Sequence, residues 1–281
     1  MSDQKSTGRA IGAPALVVSA EAGVPRTERS TGPVSDDDAR IAALSARLAS
    51  VRARIEKACR AAGRDPAEVR LLLASKTMSP AVAVAAVAAG ATLLGENRVQ
   101  ELVAKGPQLA GLGAELHLIG HLQSNKVRDA VRWASCVESV DSALLAERLD
   151  ARCAADGRTL DVMVQVNVSA EPSKSGVTPD RAAGLAARLG ELPHLRLRGF
   201  MTIGANVGDE AAIRIGYARL RTMRDEVLTA GAPGTGDARE LSMGMSGDLE
   251  LAIAEGATIV RVGSGVFGAR AVRPIHGPPD A

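Results

Sequence analysis

The chain is predicted to fold as a (β/α)8 barrel, and three observations carry that expectation. Eight short apolar runs of strand length recur at 70–76, 91–95, 115–120, 136–140, 161–168, 196–203, 240–245 and 258–263. Helical patterns with recognisable starts lie between most of them, the rhythm of a parallel sheet with crossover helices. The first run, Leu71-Leu72-Leu73-Ala74, is apolar at consecutive positions, as in a strand covered on both faces. A doubly wound open sheet is the competing arrangement, but it usually carries a glycine fingerprint after its first strand. Ser75-Lys76-Thr77-Met78 stands there instead.

Taken in order, residues 1–35 are rich in Gly, Ser, Thr, Pro and Ala without periodicity, the composition of a disordered tail. Ala13-Pro14-Ala15-Leu16-Val17-Val18 is too short and interrupted to read as a signal peptide. Asp36-Asp37-Asp38 puts negative charge at the start of a helix running to about Ala62, with Ile41, Leu44, Leu48, Val51 and Ile55 on one stripe and Gly63 as its stop. Ser79-Pro80 and Thr178-Pro179 each offer an N-cap followed by proline at the first helical position. Ser142 caps a helix through Asp156 that Gly157 closes; Ser246 caps one through Glu255 that Gly256 closes. The barrel is therefore expected over 36–272, with 273–281 as a short tail.

Composition narrows the function classes. A net charge of +2 gives no global attraction to nucleic acid or membrane, and aromatic residues are only 1%, too few for base-stacking platforms. No stretch approaches the roughly 20 apolar residues that span a bilayer. Cys59, Cys136 and Cys153 are odd in number and lack metal-ligand spacing, so they read as reduced thiols of a cytoplasmic protein. His117 and His121 fall on a strand and a turn rather than one helical face, which argues against zinc.

In such a barrel the chemistry gathers at the C-terminal strand ends. Those ends carry Lys76, Asn97, His121, Asn167, Met201, Met243-Gly244-Met245-Ser246 and Gly263-Ser264-Gly265. Lys76 matters most among the six lysines (Lys5, Lys57, Lys76, Lys105, Lys126 and Lys174). At the end of a buried strand its ammonium is poorly hydrated, and a neutral amine is what an aldehyde needs to form a Schiff base. The bland alternative is a lysine that snorkels into water. Gly263, Ser264 and the Ser246 helix start let N–H groups approach an anion after strands seven and eight, the usual phosphate position of a barrel. Arg261 would point into the same mouth, unless it only pairs with Glu96 or Asp141. A lysine on the first strand and a phosphate cradle on the last two fit one ligand, pyridoxal 5′-phosphate (PLP).

Ordered motifs strengthen this reading. They include Ala74-Ser75-Lys76-Thr77, Gly95-Glu96-Asn97-Arg98-Val99-Gln100-Glu101, His117-Leu118-Ile119-Gly120-His121-Leu122-Gln123-Ser124-Asn125-Lys126, Ser173-Lys174-Ser175-Gly176, Leu241-Ser242-Met243-Gly244-Met245-Ser246 and Val260-Arg261-Val262-Gly263. Over about 36–271 the chain resembles the pyridoxal phosphate homeostasis proteins, relatives of the alanine racemase barrel domain. The resemblance implies a barrel without the racemase C-terminal β-domain, a Schiff-base lysine at Lys76, and cofactor contacts from Asn97, Met243, Ser246, Arg261, Gly263 and Ser264. Arg261 would face the pyridine nitrogen, with His121, Asn167 and Met201 as outer pocket candidates. Leu94 and Leu116 depart from aromatic positions of the family pattern, apolar for apolar.

The expected role is a cytoplasmic, monomeric carrier that holds PLP and delivers it to apo-enzymes without robust turnover. A PLP-dependent racemase is the alternative. It would need a second base opposite the lysine, yet the sole tyrosine, Tyr217, falls inside a predicted helix, and only about ten residues follow Arg270. A phosphosugar barrel enzyme without PLP is a third reading. Lys126 and Lys174 stay open as a second holding place for the cofactor.

Overall fold

A computed structural model describes residues 35–169, 171, 175–204 and 209–268. The expectations for residues 1–34, for Lys174 and for the C-terminal tail lie outside the described residues. Eight parallel strands close in sequence order: β1 (Arg70–Ala74), β2 (Leu93–Glu96), β3 (Glu115–Leu118), β4 (Cys136–Val140), β5 (Leu160–Gln165), β6 (Leu195–Met201), β7 (Glu240–Ser242) and β8 (Ile259–Val262). Every strand overlaps the run that anticipates it, with β2, β5 and β6 each reaching one residue beyond it. The helices are α1 (Asp36–Ala61), α2 (Pro80–Ala88), α3 (Val99–Leu109), α4 (Val127–Trp133), α5 (Ala143–Ala155), α6 (Pro179–Gly190), α7 (Glu210–Ala230), α8 (Leu249–Ala254) and α9 (Ser264–Phe267).

Local signals account for most boundaries. Ser79 and Ser142 accept backbone N–H bonds from Val82 and Leu145 and start α2 and α5. Ser35 belongs to the barrel unit, since its hydroxyl accepts from Asp38 N and caps α1. Thr178 precedes α6 without a side-chain cap bond, so proline at the first position does that work. Helix α1 packs against α2, α8 and α9. Helix α1 thereby covers the outer side of the β8–β1 seam among the described residues, burying Leu44, Leu48, Val51 and Ile55.

Strand alternation sorts the core into two layers. Outward residues such as Leu73, Leu94, Leu118, Val260 and Val262 join the helices in one large apolar cluster. Inside the barrel, Leu72, Leu93, Ile119, Cys136, Met163, Met201 and Ile259 form a smaller one. That inner layer also holds buried charge: His117, Glu138 and Arg261 are 2%, 0% and 6% exposed. The β4–β5 register shifts between Val137 and Val140, and Glu138 sits within that interval. The seam β1–β8 pairs Leu72 with Arg261 and Leu73 with Val262, which brings the Lys76 end of the chain beside Gly263.

Candidate functional site

The β1 strand delivers Lys76 through a tightly held turn. Ser75 is buried and donates its hydroxyl to Glu96. Thr77 then adopts φ +65°, the left-handed region that a β-branched side chain rarely enters, and Met78 N bonds back to Ser75 O at 3.0 Å. The Glu101 carboxylate clamps this turn to the end of β2. One oxygen accepts from Thr77 N at 3.1 Å, the other from Asn97 N and Arg98 N at 3.2 Å each. Below it, Lys105 is 1% exposed, and its ammonium donates to Ser75 O and Glu96 Oε1, both at 2.7 Å. Burial pushes the Glu96 carboxyl above its usual range, against the pull of Lys105 and Ser75.

Lys76, half-buried, opens onto a cavity of about 430 Å³ whose lining includes Asn97, Ser246, Arg261, Gly263 and Ser264. Six of the seven predicted cofactor contacts therefore share one cavity. The expected cap role of Ser246 is corrected. Helix α8 begins only at Leu249 after Asp248, because Asp248 Oδ1 accepts from Met245 N at 2.6 Å and folds residues 245–248 into a turn. Asp248 Oδ2 in turn accepts the Tyr217 hydroxyl at 2.8 Å. Gly244, at φ +88°, allows this approach; a Cβ there would lie 2.4 Å from Ala252 Cβ. Across the cavity stand Gly263 and Ser264, where α9 begins, and the first N–H group of that turn, from Ser264, has no acceptor within it.

Arg261 is held from behind. Its Nη1 donates to Ser242 Oγ at 2.8 Å and its Nη2 to Thr202 O at 2.6 Å. Ser242 donates onward to Glu138 Oε2 at 2.5 Å, and Glu138 Oε1 pairs with His117 Nδ1 at 2.7 Å. His117 Nε2 lies 3.3 Å from Glu115, whose carboxylate meets Arg70 at 2.5 Å near the opposite end of the barrel. Burial alone would lower the His117 pKa, but the two carboxylates outweigh it and raise it to about 9. The Glu115 carboxyl is held down to about 2 by its bond to His117 and by Arg70, against burial. Burial also works to raise Glu138, yet His117, Arg261 and Ser242 hold it below the usual carboxylate range. Alternating signs thus run through the barrel interior. The expectation that Arg261 pairs with Glu96 or Asp141 is replaced by Glu138, reached through one hydroxyl.

The remaining candidates separate from the cavity. The Met243 side chain is fully buried in the outer apolar layer, because alternation from Ser242 turns it away from the barrel axis. Met201 packs in the inner layer, and Asn167 donates to Glu171 O at 2.8 Å. His121, 54% exposed and 3.5 Å from Asp141, lines a neighbouring groove of about 620 Å³ with Arg98 and Lys126. Sequence reasoning missed Lys105, Glu138 and Glu101. A charge inside an apolar strand such as Cys136–Val140 was the available signal for Glu138; nothing local marked Lys105. Tyr217 lies in a helix as expected, but its hydroxyl reaches the β7–α8 turn rather than lying away from the strand ends. All three cysteines are unpaired and buried, and among the described residues no cluster of His, Cys, Asp or Glu could hold a metal.

A closed (β/α)8 barrel with Lys76 just after its first strand and Ser246, Gly263 and Ser264 after its last two, all lining one cavity, defines a class of barrel, and the comparisons with known proteins identify it. The family "Alanine racemase, N-terminal domain" matches residues 46–271. The chain is 45% identical over 227 residues to a protein of Pseudomonas aeruginosa called pyridoxal phosphate homeostasis protein, covering 81% of this chain and 96% of the relative. The crystal structure of an unknown protein from Bifidobacterium adolescentis superposes with a TM-score of 0.79 at 45% identity, over 83% of this chain and 98% of that one. PipY of Synechococcus elongatus, solved with PLP bound, superposes at 0.70 with 38% identity, over 80% of this chain and 100% of PipY. The chain belongs to the pyridoxal phosphate homeostasis protein family.

Proposed function

We propose that this protein binds PLP in the 430 Å³ cavity and holds it as a Schiff base on Lys76, serving PLP homeostasis rather than turnover. The observation that carries the reading is the donor set. One amine (Lys76), two serine residues (Ser246 and Ser264), the glycine Gly263 and one buried guanidinium (Arg261) line a single cavity. That set matches an aldehyde, a phosphate and a ring nitrogen. PLP would supply an electrophilic aldehyde and a conjugated ring. Lys76 would bind the first, Ser246 with Gly263 and Ser264 the phosphate, and Arg261 the ring nitrogen. An arginine keeps its own proton at neutral pH, so it would leave that nitrogen unprotonated and weaken the ring as an electron sink.

A carrier role is supported by what stands opposite Lys76. Tyr217 is fully buried, and burial with the adjacent Asp248 carboxylate raises its pKa, so the phenol keeps its proton at neutral pH and is not available to accept one. His121 faces the neighbouring groove. Few large apolar side chains are exposed among the described residues, which favours a monomer, and buried unpaired thiols suit a reducing cytoplasm. Among the described residues no helix is long and apolar enough to cross a membrane. Apo-enzymes would be the transient recipients.

The test is spectroscopic. Adding PLP should produce a visible-violet absorbance band that Lys76→Ala abolishes; an identical band in the variant sinks the assignment. Loaded protein incubated with L- and D-amino acids should not racemise them at a saturable rate, and fast racemisation would restore the enzyme alternative.

A further inference from the structure

We propose that Glu138 is a positioning residue for Arg261, acting through Ser242 to fix the guanidinium as the partner of the cofactor's ring nitrogen. The inference rests on the PLP reading and deepens it.

Arg261 is 6% exposed, and among the described residues no carboxylate approaches within ion-pair distance. The anion that balances it, Glu138, stands one hydroxyl away. Ser242 has a single hydroxyl proton, and it is given to Glu138 Oε2 at 2.5 Å. Its oxygen can then only accept from Arg261 Nη1, at 2.8 Å. Glu138 thus sets the direction of the Ser242 hydroxyl. The other Glu138 oxygen is occupied by His117 Nδ1 at 2.7 Å, which stops the carboxylate from rotating away. The second terminal nitrogen of Arg261 is fixed by Thr202 O at 2.6 Å, and Thr202 is itself tied to Ser242 O and Val166 O. Two acceptors on two different strand ends fix a planar group in both tilt and rotation. The remaining charged or titratable groups acting on Arg261 are Tyr217 and Asp248. The guanidinium N–H groups not spent on Ser242 and Thr202 are left for a ligand in the cavity that Arg261 lines.

A merely structural role for Glu138 would weaken every ligand alike, whereas a positioning role acts on the ring nitrogen alone. The discriminating probe is PLP beside its deaza analogue, in which carbon replaces that nitrogen. Both are titrated spectroscopically into wild-type protein, Ser242→Ala and Glu138→Gln. In the variants, PLP affinity is expected to fall about tenfold while the analogue changes less than about twofold, closing the wild-type preference for PLP. Ser242→Ala leaves the Glu138–His117 pair intact, so it carries the test should Glu138→Gln fail to fold. Parallel losses for both ligands, or an unchanged preference in Ser242→Ala, would overturn the inference. Absence of any Lys76-dependent band in the wild type would instead overturn the PLP reading itself.

Discussion

The ammonium of Lys105 lies 2.7 Å from Glu96 Oε1 and 2.7 Å from Ser75 O, directly behind the residue that presents Lys76. Glu96 is fully buried and its Oε2 has no hydrogen-bond partner. Such a pair offers little net stability over a well-packed apolar pair, but losing one member strands the other charge. Lys105→Met should therefore cost about 3 kcal/mol in urea unfolding at neutral pH. Burial already favours the protonated Glu96 carboxyl, and removing Lys105 strengthens that preference. The deficit should accordingly shrink as pH falls and Glu96 takes a proton. A deficit that grows on acidification would count against this account of the pair.

The strain at Thr77 gives an effect of opposite sign. At φ +65° a β-branched side chain costs on the order of 1 kcal/mol, while the Thr77 N–H bond to Glu101 does not depend on the side chain. Thr77→Gly should stabilise the fold by about 0.5 kcal/mol after allowing for glycine's greater freedom when unfolded. A lower urea midpoint in the variant would show that the turn is not strained.

Gly244 tests the cavity's far wall. Its φ of +88° and the 2.4 Å approach of a Cβ to Ala252 Cβ make Gly244→Ala expensive, at about 2 kcal/mol or more. Because the same turn carries Ser246, PLP affinity should fall along with stability, as read by denaturation and spectral titration.

The buried His117 makes stability depend on pH. Its folded pKa of about 9 lies above the ordinary histidine value, so the folded state gains a proton relative to the unfolded chain. The stabilisation is complete below about pH 6.5 and is lost as pH rises through about 9, up to on the order of 3 kcal/mol. His117→Asn should flatten unfolding free energy across that window.

Strand positions were legible because a strand buried on both faces reads as an apolar run, and Leu71–Ala74 of β1 is of that kind. Lys76, Ser246, Arg261, Gly263 and Ser264 were legible because strand ends in a barrel converge on one mouth. Met243 was not, since a shift of one residue along a strand exchanges inside for outside. Ser246 was misplaced as a cap because Asp248, two residues on, competes for the same turn through Met245 N. The partners of Arg261 and the burial of Lys105 arise from tertiary neighbours far apart in the chain, where local pattern carries no signal.

The central claim is that Lys76 forms the covalent link to PLP. Its most direct measurement is mass mapping of protein loaded with PLP and reduced with borohydride. The account predicts one phosphopyridoxyl group on the peptide containing Lys76, absent from Lys76→Ala. Modification of Lys126 or another lysine with Lys76 left free would contradict it.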